Sequence, residues 1–194
     1  ERLQQQIVRK SASIKRVDIQ KLIPGLFFTY SINKKILRIS KLVLLGRLLK
    51  IDIKYGCIES IKNSSKKQRS GHRSKWVRLP QYKKDFTDLF YLVGLLYGDG
   101  TGKDALLSNN DNALLEEAGL ILKKVLDIDS KIVETKSCKN LVNNGYKTFS
   151  RFLNVLFEFP ERQKSGTLKI PEIVQLAKLD LKGSFLAGLY DTDG

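Results

Sequence analysis

Residues Tyr91 to Gly100 read YLVGLLYGDG, and residues Phe185 to Gly194 read FLAGLYDTDG. Each stretch runs from apolar, helix-forming residues into an aspartate followed by glycine, and the two lie 94 positions apart. Gly94 and Gly98 sit four apart, as do Gly183, Ala187 and Asp191, with Gly188 beside Ala187. Small residues at that spacing share a helix face and let two backbones approach closely. The expectation is two helices packed lengthwise on Gly94, Gly98, Ala187 and Gly188, so that Asp99 and Asp193 emerge together at their C-terminal ends. Peptide dipoles already present partial negative charge there. At about 5 Å and an effective dielectric near 20, the two carboxylates would repel by roughly 3 kcal/mol, which calls for a cation. Oxygen ligands without histidine or thiolate suit a hard ion such as Mg²⁺. A divalent ion held by acids above a phosphate is an arrangement used in phosphodiester hydrolysis. The plainer alternative is that each aspartate only caps a turn before glycine. Its recurrence after a matched helix weighs against that.

Outward from these stretches the pattern alternates between helix and strand. KDFTDLFYLVGLLYGDG predicts a helix with Asp85 as N-cap and Gly100 in the left-handed turn that follows it. ALLSNN (105–110) predicts a short strand and NALLEEAGLILKKVL (112–126) a helix with one apolar stripe. KIVETKS (131–137) and NLVNNGYKTF (140–149) predict strands, the second with a tight hairpin about Asn143, Asn144 and Gly145. SRFLNVLFEF (150–159) predicts a further helix, and KSGTLKIPEIV leads through a loop and a short helix into the second motif. Two similar elements at a fixed interval suggest an internal duplication.

The charge is distributed unevenly. Residues 1–80 carry 20 Lys/Arg against 4 Asp/Glu, and residues 81–194 carry 15 against 16, so the whole excess of +15 is N-terminal. Such asymmetry points to a polyanion, with nucleic acid as the expected partner and a solvated basic face as the plainer alternative. NKKILRISKLVLLGRLLKIDI (33–53) has helical apolar spacing through Ile36, Ile39 and Val43, flanked by Lys35, Arg38, Lys41 and Arg47. A helix-turn-helix is conceivable there, and core packing of the stripe is the better-supported reading. KNSSKKQRSGHRSKWVRLPQYKK (62–84) is polar and basic, the composition of a linker or DNA-tracking arm. Its phosphate-contacting candidates are Lys66, Lys67, Arg69, Arg73, Lys75 and Arg78.

With 42% hydrophobic residues the chain is too apolar to be disordered. Its longest apolar run is about half the roughly 20 residues of a membrane span, so no membrane association is expected. Cys57 and Cys138 stand alone and far apart, which fits a reducing, cytoplasmic setting. The absence of methionine predicts a segment of a longer polypeptide.

LAGLYDTDG resembles the LAGLIDADG motif, differing at two positions, and LVGLLYGDG is similar to a common form of the first copy of that motif. The pair resembles a two-motif LAGLIDADG homing endonuclease of the kind embedded in archaeal inteins, over about residues 81–194. The resemblance implies an α+β fold: an αββαββα half followed by the start of a second half, preceded by a basic, largely helical region. The implied division is 1–61 for DNA recognition, 62–83 for the arm, 84–176 for the first half-domain and 177–194 for the second motif helix. It implies double-stranded DNA as the partner and Mg²⁺-dependent hydrolysis of both strands, with Asp99 and Asp193 as catalytic and metal-binding acids. Gly94 and Gly188 take the close-packing positions. Lys169, or its rival Lys164, would stabilise charge or activate water. The strands would form a saddle that turns Lys131, Lys136, Lys139 and Lys147 toward the duplex, with strand alternation deciding which of them face it. A full-length molecule would be a monomer of two pseudo-symmetric halves. No intein splicing residues are present. The competing readings are a binding module such as an RNA-splicing maturase, and a remnant without cleavage.

Overall fold

The computed structural model describes residue 47 and residues 58–61, 75–101, 106–160 and 168–193. The chain divides into two units, Glu1–Ile58 and Glu59–Gly194, and both motifs belong to the second. Apart from Arg47, which is helical and exposed, the expected helical region at 33–53 lies outside the described residues, as does most of the arm.

The second unit is mixed α+β. In chain order it contains β1 (Ser60–Ile61), β2 (Val77–Arg78), α1 (Lys83–Asp99), β3 (Gly100–Thr101), β4 (Leu106–Asn109) and α2 (Asn112–Leu126). After α2 come β5 (Ser130–Glu134), β6 (Lys139–Asn143), α3 (Tyr146–Phe157), α4 (Glu172–Gln175) and α5 (Leu179–Asp193). From α1 to α3 the succession is helix, two strands, helix, two strands, helix, as expected. One antiparallel sheet has the order β3-β4-β6-β5, and β1 pairs with β2 in a second. Residues at the end of the expected arm are folded in: Val77 and Leu79 are buried, and Ile61 pairs with Val77.

Local chemistry sets the helix ends. The N-cap of α1 is Tyr82, not Asp85. Asp85 sits three residues on, where its carboxylate accepts from the backbone N–H groups of Gln81 and Tyr82, both at 3.3 Å. A carboxylate in the first turn satisfies otherwise orphaned donors from that position as well. Gly100 is extended, with φ −86° and ψ 159°, and not left-handed. Glycine is needed there for a different reason: a β-carbon would lie 2.6 Å from Leu96 Cα, because the chain turns sharply from α1 into the sheet. In α2, Asp111 accepts from Ala113 N–H at 2.8 Å, and Lys123 and Lys124 occupy the last turn, where the dipole favours cations.

The stretch predicted as a strand over 140–149 is divided. Strand β6 stops at Asn143, and α3 begins at Tyr146, so Asn143–Gly145 joins a strand to a helix and forms no hairpin. Tyr146, Thr148 and Phe149 have side chains favoured in strands. The apolar spacing of Phe149, Phe152, Leu153 and Phe157 decides for helix, because those residues are buried together.

The core lies between the helices and one face of the larger sheet. Phe90 meets Phe157 edge to face at 5.6 Å. Tyr97 stands edge-on to Phe159 at 5.1 Å and to Phe185 at 5.2 Å, and its hydroxyl donates to the Phe157 carbonyl. Full burial of such side chains contributes about 1.5–3 kcal/mol each, so Tyr97 is a principal tie between α1, the end of α3 and α5.

Candidate functional site

Helices α1 and α5 cross at Gly94 and Gly188. A β-carbon on Gly94 would run into the Phe185 carbonyl oxygen and lie 2.9 Å from Leu189 N and 3.1 Å from Gly188 Cα. One on Gly188 would run into the Tyr91 carbonyl oxygen and lie 2.9 Å from Leu95 N. The two sets of contacts are reciprocal. Each glycine meets the carbonyl three residues before the other and the amide one residue after it, as a local two-fold axis between the helices requires.

The same correspondence pairs Gly98 with Thr192 and Asp99 with Asp193. A β-carbon on Gly98 would lie 2.7 Å from Thr192 Cβ and 3.5 Å from the carboxyl carbon of Asp193. The Asp193 carboxylate is therefore at the end of α1, beside the residue that precedes Asp99. Thr192 is tucked into the crossing, its hydroxyl donating to the Leu189 carbonyl at 3.0 Å and the Gly188 carbonyl at 3.3 Å.

Asp99 is half-buried and Asp193 exposed. Asp99 Oδ2 accepts from the Asn109 side-chain amide at 2.7 Å. Toward the other end of the crossing, the Tyr91 hydroxyl donates to Asp191 Oδ2 at 2.7 Å. Burial, together with that bond, raises the Tyr91 phenol well above its ordinary range, so it stays a donor.

Among the described residues no cluster of three or more His, Cys, Asp or Glu side chains forms a metal cage. Two oxygen donors nonetheless fit Mg²⁺, which keeps several waters and is commonly held by one or two carboxylates plus substrate phosphates.

Other expected positions are placed as follows. Ala187 is exposed and lines the groove beside Tyr91 and Ser184. It flanks the tightest part of the crossing, where added β-carbons meet Phe185, Gly188, Leu189 and Thr192. Gly183 has nothing within 4 Å of an added β-carbon. Lys169 is exposed in the stretch before α4, and among the described residues no ion pair joins it to either acid. Lys164, Lys66, Lys67, Arg69 and Arg73 lie outside the described residues. Lys75 is 3.9 Å from Asp129, and Arg78 Nε donates to the Val125 carbonyl at 3.1 Å, which ties β2 to α2.

The register of the larger sheet sorts the remaining lysines. Directly paired residues point to the same face. Leu107 pairs with Leu141, which pairs with Ile132, and Asn109 pairs with Lys139, which pairs with Glu134. That face carries the buried Leu107 and Leu141. Lys139 therefore lies on the helix-covered side, where its ammonium donates to Asn112 Oδ1 at 2.9 Å. Lys131, opposite Val142, is on the open face, and Lys136 is exposed in the β5–β6 turn. Lys147 belongs to α3 and not to a strand; its ammonium lies 5.7 Å over the Tyr146 ring.

The open face also presents Thr101, Leu106, Ser108, Val133, Asn140 and Val142, none of which the sequence had marked. Ser108 donates to Asn140 across it at 2.6 Å. Alternation within LLSN and KNLVN contains this information, but only once the register is fixed.

No family model matches the chain. It is similar to part of a probable translation initiation factor IF-2 from Thermococcus kodakarensis, 36% identical over 140 residues, which is 71% of this chain and 12% of the relative. It is 30% identical over 170 residues to elongation factor 2 of Methanopyrus kandleri, covering 86% of this chain and 12% of that protein. It is 27% identical over 124 residues to an A-type ATP synthase subunit of Pyrococcus abyssi, covering 63% of this chain and 12% of that one. The chain thus spans about an eighth of the length of these curated relatives.

Among the described residues no helix is long and apolar enough to cross a membrane.

Proposed function

We propose that the chain is part of a LAGLIDADG-type, site-specific DNA endonuclease carried as an intein-like insertion within a larger protein. The observation that carries this reading is the reciprocal crossing at Gly94 and Gly188, which gives Asp99 and Asp193 equivalent places at the two helix ends. The relatives add independent support. Two translation factors and one component of an ATP synthase share no common activity in their names, yet each resembles this chain over 12% of its length. A segment common to such different proteins is more economically an inserted element than part of any one host's machinery.

In this reading Asp99 and Asp193 are the residues that would hold Mg²⁺. The ion, when bound, polarises the phosphoryl oxygens and favours ionisation of water. The residues of the chain bind and orient the duplex. Ser108 and Asn140 present hydrogen-bonding groups from the open sheet face toward base edges, while Lys131 and Lys136 neutralise phosphates. Lys169 or Lys164 supplies a positive charge near the reacting phosphate. The basic N-terminal region adds sequence-independent attraction.

A full-length molecule has two related halves in a monomer. Leu186 and Tyr190 of α5 are 44% and 70% exposed, whereas their counterparts Leu92 and Leu96 in α1 are 1% exposed under the sheet and helices of the first half. A second, matching set of strands and helices would cover α5 in the same way.

The test is to incubate the polypeptide that carries this segment with a degenerate DNA duplex library in Mg²⁺ and to sequence the cut ends. The expected result is cleavage of both strands at one long site, reduced more than about a hundredfold by Asp99→Asn, since even outer-sphere changes at such sites cost 10–100-fold. Undiminished cutting by that variant would remove Asp99 from the mechanism. Binding to structured RNA in place of duplex DNA would favour a maturase.

A further inference from the structure

We propose that Asn109, at the end of β4, is a positioning residue for Asp99, holding its carboxylate in one orientation before any cation arrives. The inference rests on the reading of Asp99 as a cation ligand. Asn109 makes two bonds that fix its own amide. Its Oδ1 accepts from the Asp111 N–H at 2.8 Å, which sets which end of the side chain is the acceptor, and its Nδ2 donates to Asp99 Oδ2 at 2.7 Å.

Asp111 in turn accepts from the first N–H groups of α2 at 2.8 and 3.4 Å. The chain of bonds therefore runs from the N-terminal turn of α2, through Asn109, to the acid. One oxygen of Asp99, Oδ2, is engaged by the Asn109 amide. Asp193 is exposed, and no side chain donates to it among the described residues. The two acids are thus equivalent in backbone position and different in restraint: Asp99 is preorganised and Asp193 is not.

Partners that orient a ligating carboxylate typically change metal affinity 10–100-fold when lost. Two substitutions separate positioning from a purely structural role. Asn109→Ser keeps a hydroxyl that accepts from the Asp111 N–H and is too short to reach Asp99. Asn109→Ala removes both bonds. The experiment titrates the 194-residue chain and its variants with Mn²⁺ alone, by electron paramagnetic resonance, and records thermal unfolding of each.

The expected result is that both substitutions weaken Mn²⁺ binding equally, by about tenfold, while only Asn109→Ala lowers the unfolding midpoint. In an Asp99→Asn background, Asn109→Ser should then cause no further loss of Mn²⁺ affinity, because its effect acts through that acid. If Asn109→Ser binds Mn²⁺ as the parent does, positioning is overturned and the reading of Asp99 stands. If Asp99→Asn itself binds as the parent does, the reading of Asp99 falls, and the role of Asn109 with it.

Discussion

Gly94 and Gly188 cannot carry a β-carbon without displacing backbone atoms of the opposite helix. Overpacking a tight contact costs about 1–3 kcal/mol, occasionally more. Gly94→Ala and Gly188→Ala should each lower stability by at least that amount in chemical denaturation. Gly183→Ala should do the opposite, since nothing lies within 4 Å of its new carbon and alanine is better than glycine inside a helix by about 0.5–1 kcal/mol. Equal effects at Gly183 and Gly188 would contradict the assignment of the contact face. Four-residue spacing marked Gly94 and Gly98 in the first motif but Gly183 and Ala187 in the second, and Gly188 was legible only by matching the two motifs, because spacing alone does not say which side of a helix faces its partner. Asn109 left no signal of its own. Its role depends on a sharp turn from α1 into β3, and the glycine at that turn was expected to adopt a left-handed conformation that it does not have.

Sheet register separates lysines that composition treats alike. Lys131 on the open face should contribute to duplex binding, so Lys131→Ala should weaken affinity and reduce the slope of log K against log salt by about one. Lys139→Ala should leave that slope unchanged, because its ammonium is engaged with Asn112 on the covered side. Helices α1 and α5 are also joined near their N-terminal ends by Lys83 and Asp180, 2.7 Å apart. The hydrogen bond between them holds the Asp180 carboxyl below its ordinary value of 3.8 and the Lys83 ammonium above its ordinary 10.5. A depressed carboxyl stabilises above its unfolded value and loses that contribution as pH falls through the folded one. A raised ammonium stabilises below its unfolded value and loses it as pH rises through the folded one. The difference between parent and Asp180→Asn in urea unfolding should therefore stay constant across neutral pH and vanish at both extremes. It should also shrink with salt, both groups being on the surface. Most helices and strands of this unit were legible from hydrophobic period. The two-residue strands β1, β2 and β3 are too short to show a period, and in the 140–149 stretch β-favouring side chains concealed a helix whose evidence is the burial of Phe149, Phe152 and Phe157.

Across the whole molecule, a nearly neutral C-terminal region carries the paired acids, and the whole positive excess lies in the N-terminal region, where the proposed function puts the attraction to a polyanion. The two motifs were legible because a duplicated pattern constrains itself: the offset of 94 that relates them in sequence also relates the atoms in contact at the helix crossing. Which lysine would serve the proposed phosphate was not legible, because Lys169 lies outside any regular element, where neither spacing nor alternation fixes direction. The proposed cleavage requires Asp99 and Asp193 to share one cation. The most direct measurement is the anomalous scattering of crystals of this chain soaked in Mn²⁺. The account predicts a peak within about 2.5 Å of oxygens from both carboxylates, a generous coordination distance for a hard divalent ion. A Mn²⁺ peak on one acid with the other turned away, or peaks only elsewhere on the surface, would contradict it.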